Sequence, residues 1–158
     1  MNAVVIYGSR SGNTRKIGRA IARALEGHGT VRLEAIDEAP STFGGIDLVV
    51  VGGPTEAHGI TPPVAGFFDR MAAGALQGRK AAAFDTRLRG PRWLWGSAGA
   101  GITQKLLEAG AEVIVPEESF FVDRVPRLLP GELDRAAAWG ASLVGMLEPA
   151  AAASAAAP

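Results

Sequence analysis

Short apolar runs alternate with amphipathic stretches along nearly the whole chain. Segments 3–7, 31–36, 47–51, 81–84 and 112–115 read as strands. The first, third and fourth are almost continuously apolar, as strands buried on both faces of a parallel sheet must be. Between and after them run stretches with helical period: 13–26, with Ile17, Ile21, Ala24 and Leu25 on one face, and 62–73, with Val64, Phe67, Phe68 and Met71. Two more are 97–109, with Ile102, Leu106 and Leu107, and 131–147, with Leu133, Ala137, Leu143 and Met146. Glycines at 27 and 29 end the first helix and Gly110 the third, while Pro62 and Pro63 suit a first turn. The alternation predicts a doubly wound α/β sandwich of three layers. The link 37–46, with two glycines and a proline, leaves room for one or two helical turns at most.

Composition narrows the class. A chain of 158 residues is the size of one domain. Sixteen basic residues balance sixteen acidic ones, so no overall field favours nucleic acid or an acidic membrane, and any electrostatic preference must be local. The absence of cysteine excludes disulfides, thiolate metal sites and a cysteine nucleophile, and two histidines make a zinc site a poor fit. The start Met1-Asn2-Ala3-Val4-Val5 has neither a basic leader nor a long apolar run, so a cytoplasmic protein without a membrane segment is expected. Residues 1–148 are expected to form one domain, and 149–158, nearly all alanine, a disordered tail.

In doubly wound sheets ligands bind beyond the carboxyl ends of the strands, which directs attention to three loops. The first, Gly8-Ser9-Arg10-Ser11-Gly12-Asn13-Thr14, leads straight into a helix. Its glycines allow a tight fold, its hydroxyls can donate to oxyanions, and the helix N-terminus supplies free N–H groups, which together suit a phosphate. A plain turn capped by Ser11 or Asn13 is the simpler alternative. The loop lacks the lysine of a Walker motif and the glycine spacing of a dinucleotide fingerprint. The second loop, from Gly52-Gly53-Pro54-Thr55 through His58 and Gly59 to Pro62, has glycines that permit close backbone approach to a flat ring. The third, Asp85 to Ser97, holds Trp93 and Trp95 together with Arg87, Arg89 and Arg92. A tryptophan there can stack on a ligand, or cover a sheet edge or an oligomer contact.

The stretch Val4-Val5-Ile6-Tyr7-Gly8-Ser9-Arg10-Ser11-Gly12-Asn13-Thr14 resembles the start of a flavodoxin, whose phosphate loop reads hydroxyl-x-hydroxyl-Gly-x-Thr. Val49-Val50-Val51-Gly52-Gly53-Pro54-Thr55 is similar to its second flavin loop, and Phe84-Asp85-Thr86-Arg87-Leu88 to its third. The resemblance implies a flavodoxin-like fold of the short-chain kind, with a five-stranded parallel sheet in the order 2-1-3-4-5. It implies FMN, with the phosphate on Ser9, Ser11, Asn13 and Thr14 in the loop that also holds Arg10 and Gly12. The flavin ring would lie between Gly53, Pro54, Thr55, His58 and Gly59 on one side and Thr86, Arg87, Leu88 and Trp93 on the other. It further implies electron transfer one electron at a time with a reductase or acceptor enzyme as redox partner, as a monomer or weak dimer, with no nucleic acid or membrane.

The chain departs from the resemblance in two respects. Flavodoxins are typically acidic around the flavin, whereas this chain is neutral and its third loop carries Arg87, Arg89 and Arg92. Those cations would make a bound flavin less reducing, or would meet an acidic partner or the phosphate of a nicotinamide cofactor; a solvated basic loop is the plainer reading. No aromatic follows Gly53, so Pro54 or the aliphatic parts of His58 and Ile60 would have to back the ring. A redox carrier is the first expectation, an FMN-dependent NAD(P)H oxidoreductase acting on a quinone the second, and a flavin-free binding module the third. No catalytic side chain and no metal is expected.

Overall fold

The computed structural model describes residues 1–147, so the alanine-rich tail 149–158 lies outside the described residues. The elements are β1 (Asn2–Tyr7), α1 (Asn13–Glu26), β2 (Thr30–Ala35), β3 (Leu48–Pro54), α2 (Pro62–Asp69) and β4 (Lys80–Leu88). They continue with α3 (Arg92–Trp95), α4 (Ala98–Glu108), β5 (Glu112–Val113), β6 (Glu118–Val122) and α5 (Glu132–Leu147). The sheet is parallel throughout, in the order β2-β1-β3-β4-β5, with β6 also pairing β4.

The apolar runs alternate across this sheet. Val4, Ile6, Val49 and Val51 pack under α2 and α4, against Val64, Phe67, Ile102 and Leu106. Ala3, Val5, Leu48, Val50 and Phe84 face the other way, against Ile17, Ile21 and Leu25 of α1 and Ala136 and Leu143 of α5. Each helix therefore buries its apolar stripe on one face of a sheet that is covered on both, giving the three layers predicted.

The expected five strands become six, because the fifth position is shared. β5 pairs only Lys80 and Ala81 of β4, whereas β6 pairs Phe84 to Leu88. The break between them, 114–117, contains Pro116, which has no N–H for a ladder. The fourth strand is also longer than predicted and takes in Asp85, Thr86, Arg87 and Leu88, because β6 supplies hydrogen-bonding partners for them. β3 likewise runs on to Pro54. Gly52 is therefore a strand residue, and a Cβ there would meet the Phe84 ring at 2.1 Å. Core packing, rather than a ligand, requires that glycine. The link 37–46 forms turns and no helix, anchored by buried Phe43, which meets the Phe67 ring edge-on at 6.5 Å.

Candidate functional site

The first loop folds tightly because Gly12 takes the left-handed conformation, with φ 88°, and Ser9 Oγ accepts from the Gly12 N–H at 3.0 Å. Gly12, and not Ser11 or Asn13, is the N-cap of α1, and no side chain caps that helix. Its first turn contains no acidic residue. The positive end of a fourteen-residue helix thus opens to the outside with its leading N–H groups free for an anion.

The other long helices at this edge of the sheet offer fewer free donors or carry an acidic group. Buried Asp85 fills the start of α4: its Oδ2 accepts from Gly99 N–H at 2.8 Å, Ser97 Oγ at 2.7 Å and Thr55 Oγ1 at 3.2 Å. Thr55 Oγ1 accepts in turn from the Ala98 N–H at 2.8 Å, and Ser97 Oγ from Ala100 N–H at 3.3 Å. The second carboxylate oxygen, Oδ1, is buried without a partner among the described residues. α2 opens with Pro62 and Pro63, which have no N–H to offer, and α5 carries Glu132 and Asp134 in its first turn.

In front of α1 lies a cavity of about 510 Å³. Arg10, Ser11 and Asn13 line it from the first loop, Pro54, Thr55 and Glu56 from the second, and Thr86, Arg87, Leu88 and Trp95 from the end of β4 and α3. Thr14 stands behind this wall, its hydroxyl hydrogen-bonded to that of Thr86 at 2.9 Å, with both side chains buried. The three loops singled out in the sequence therefore converge on one crevice, where the strand order reverses beside β1.

A fourth wall comes from Val122 at the end of β6 and from Asp123, Arg124 and Pro126 beyond it. Asn13 ties it to the first loop, donating from Nδ2 to Pro126 O at 2.8 Å and to Ser11 Oγ at 3.1 Å. The run Ser119-Phe120-Phe121-Val122, between Pro116 and Pro126, carries the aromatic and β-branched signature that could have announced this strand and the wall beyond it.

Several predicted residues lie elsewhere around the crevice. Gly53 is buried inside β3, paired with Asp85. His58 and Gly59 belong to a tight turn, closed by Glu56 N–H to Gly59 O at 3.1 Å and Gly59 N–H to Glu56 O at 2.9 Å, and neither lines the cavity. Ala57 and His58 both have left-handed φ, 45° and 69°. Ile60 packs toward Gly101 of α4, leaving Pro54 as the apolar surface of this loop inside the crevice. Trp95 lines the cavity, whereas Trp93 is 84% exposed.

The arginines divide as well. Arg87 is buried, donating to Ser119 Oγ at 3.0 Å and Gly90 O at 2.8 Å, with its guanidinium 5.0 Å from the centre of the Phe121 ring. It is not part of a solvated loop. Arg92 pairs with Glu117 at 2.5 Å. Partial burial works to raise the Glu117 pKa, but its backbone hydrogen bond, Arg92 and Thr103 outweigh that and hold it below the ordinary carboxylate range. Arg10 pairs with Glu56 at 3.3 Å, joining the first and second loops. Beyond this pair is a smaller cavity of about 320 Å³, lined by Tyr7, Ile36, Asp37 and Thr61 and sharing Arg10, Pro54 and Glu56 with the larger one.

Residues 4–92 match the flavodoxin-domain family. The chain belongs to the flavodoxin family. Membership implies a flavin cofactor, and the fold agrees with that of solved flavodoxins. A flavodoxin from the domain Archaea is 23% identical, covers 93% of this chain and 99% of its own, and superposes with a TM-score of 0.78. Oxidised flavodoxin 1 from Bacillus cereus is 24% identical, with 92% and 98% covered and a TM-score of 0.78. A short-chain flavodoxin associated with a non-canonical PDU bacterial microcompartment is 17% identical, with 94% and 99% covered and a TM-score of 0.75. At these identities the likeness is one of fold. Among the described residues of this flavodoxin-family chain, no helix is long and apolar enough to cross a membrane.

Proposed function

We propose that this chain binds FMN in the larger cavity and carries electrons one at a time between a reductase and an acceptor enzyme. The observation that carries the reading is the uncapped N-terminus of α1, which opens through Arg10, Ser11 and Asn13 onto a cavity walled by the second and third loops, with Ser9 on the smaller cavity beside it. The residues fit the group. Ser9, Arg10, Ser11, Gly12, Asn13 and Thr14 would hold the phosphate through hydroxyls, backbone N–H groups and one guanidinium. Pro54 and Thr55 would back the ring on one side, and Thr86, Leu88 and Trp95 on the other. Gly53, His58 and Gly59 would shape the second loop from behind, and Arg87 would brace the third.

Bound FMN supplies the one-electron redox chemistry; the chain fixes the phosphate, excludes water from the ring faces and sets the nearby charge. A titration of purified protein with FMN tests the binding. Uptake of one FMN per chain is expected, with riboflavin, which lacks the phosphate, held at least about 100-fold more weakly because the charged hydrogen bonds at the helix end are lost. No uptake would overturn the reading. Anaerobic reductive titration should then show two separate one-electron steps. A single two-electron step would instead favour an FMN-dependent NAD(P)H oxidoreductase, a second reading that the smaller cavity beside Arg10 and Glu56 supports by offering room for another small molecule.

A further inference from the structure

Exposed apolar side chains and arginines neighbour the residues that line the larger cavity. Of the six large hydrophobic residues exposed among the described residues, Trp93, Leu94 and Val125 flank this one cavity. The first two immediately precede Trp95, and the third lies between Arg124 and Pro126, all of which line it. Trp93 is 84% exposed and Val125 68%. Leaving a side chain as large as an indole in water forgoes the gain of burying it, so its display needs a reason.

The turn that carries Trp93 and Leu94 is tied down. α3 is a single turn, but Arg92 anchors it, donating to Glu117 Oε1 at 2.5 Å and Ser97 Oγ at 2.9 Å, while the Gly96 N–H closes the turn onto Arg92 O at 2.7 Å. Thr103 Oγ1 holds the other oxygen of Glu117 at 3.2 Å. The depressed Glu117 pKa keeps this clamp charged at neutral pH. A side chain presented on a clamped turn loses less entropy on binding than one on a free loop.

The sign of the surround is set by what is left unpaired. Glu56, Glu117 and Asp123 are each matched, to Arg10, Arg92 and Arg127. Arg89 and Arg124 make no ion pair among the described residues, and both are exposed. We propose that Trp93, Leu94 and Val125, flanked by Arg89 and Arg124, form the docking surface for an acidic protein that exchanges electrons with the cavity below. The proposal rests on the electron-carrier reading. Tryptophan and arginine are the residue types that dominate interface energetics, and a partner seated here would close the mouth to water. An acidic partner is required because a basic one would meet two uncompensated guanidinium groups.

The acidic haem domain of cytochrome b5 and the basic cytochrome c serve as probes. With the reduced, FMN-loaded protein in stopped flow, the rate constant for cytochrome b5 should fall at least about tenfold as ionic strength rises from roughly 10 to 200 mM, while that for cytochrome c does not fall. The double variant Arg89→Ser/Arg124→Ser should lose most of that salt dependence. Val125→Asp should slow cytochrome b5 about tenfold, through repulsion at the contact, and leave reaction with benzoquinone unchanged. A salt-independent rate, unaltered in these variants, overturns the proposal. A second arm needs no flavin: amide shifts of ¹⁵N-labelled protein on addition of cytochrome b5 should fall in 87–95 and 122–127 and vanish in salt. If FMN is not taken up, the carrier reading falls and this arm still decides the surface. Shifts on another face, no shifts, or a response only to phosphatidylglycerol vesicles overturn it.

Discussion

Thr14 and Thr86, seventy-two residues apart, share a buried hydroxyl–hydroxyl hydrogen bond of 2.9 Å that joins the first turn of α1 to the end of β4. Replacing either by valine keeps the shape and leaves the other hydroxyl buried without a partner. Thr86→Val and Thr14→Val are each expected to cost about 1–3 kcal/mol, and the double variant less than the sum. Urea unfolding of the four proteins measures this; strict additivity would show that the two hydroxyls do not act as a pair.

Gly12 is the left-handed turn residue of the proposed phosphate loop. A Cβ there meets nothing within 4 Å, so the cost of Gly12→Ala is the left-handed φ alone, about 1–2 kcal/mol. The strain can relax by shifting the loop, which should weaken FMN while scarcely altering riboflavin. Gly12→Asn should be milder on both counts. Equal losses for the two flavins would place the effect away from the phosphate.

Asp85 accepts three hydrogen bonds through one oxygen and none through the other. Asp85→Ala should destabilise the protein by about 2–3 kcal/mol, since it strips the acceptor from the Gly99 N–H and the Ser97 hydroxyl. Asp85→Asn should fall between, because its amide nitrogen stands where no acceptor exists. Thermal unfolding ranks the three; an asparagine variant as stable as the parent would argue that the negative charge at the α4 N-terminus contributes nothing.

The Glu117 carboxyl has a lowered pKa in the folded state, and the sign of the pH effect follows. The unfolded chain binds its proton at higher pH than the folded one, so the stabilisation is complete above the ordinary glutamate pKa. It is lost as pH falls through the lower folded value. For a partly exposed pair the size is on the order of 0.5 kcal/mol. Glu117→Gln should remove that slope in the acid limb of stability against pH, and Arg92→Gln should reduce it.

Charge at the cavity mouth should also register in the potential. Arg124 lines the cavity without an ion pair among the described residues, so Arg124→Ser is expected to lower the second one-electron potential by on the order of 20 mV, about 0.5 kcal/mol of screened attraction. Redox titration at low and high salt checks both the shift and its screening.

The buried strands and the helix after the first loop were legible because each has a strong period and clear punctuation: α1 begins at Asn13 and ends at Glu26 as the pattern predicts. The end of β4 was not, because Asp85 and Arg87 are charged residues whose burial depends on partners remote in sequence, Gly99 and Ser119. β6 escaped for a related reason. Only the pairing with β4 makes Ser119 to Val122 an element of the same sheet position as Glu112–Val113. At the site, the tight loop before α1 and the start of that helix could be read from local residue types. Which of the two tryptophans turns inward was not legible, because the turn that carries them is tied to Glu117, a contact from Arg92 across twenty-five positions.

The carboxylate under α4 also governs how many anions this edge of the sheet can accept. Asp85 occupies one positive helix pole, prolines remove the first two donors of the second, and acidic residues stand in the first turn of the third, whereas, among the described residues, the pole of α1 keeps its first-turn N–H groups with no acidic residue or side-chain cap. A ligand with a single phosphate matches that supply. The second phosphate of a dinucleotide would find no equally open helix end to lean on, which is why the ligand proposed here is a mononucleotide.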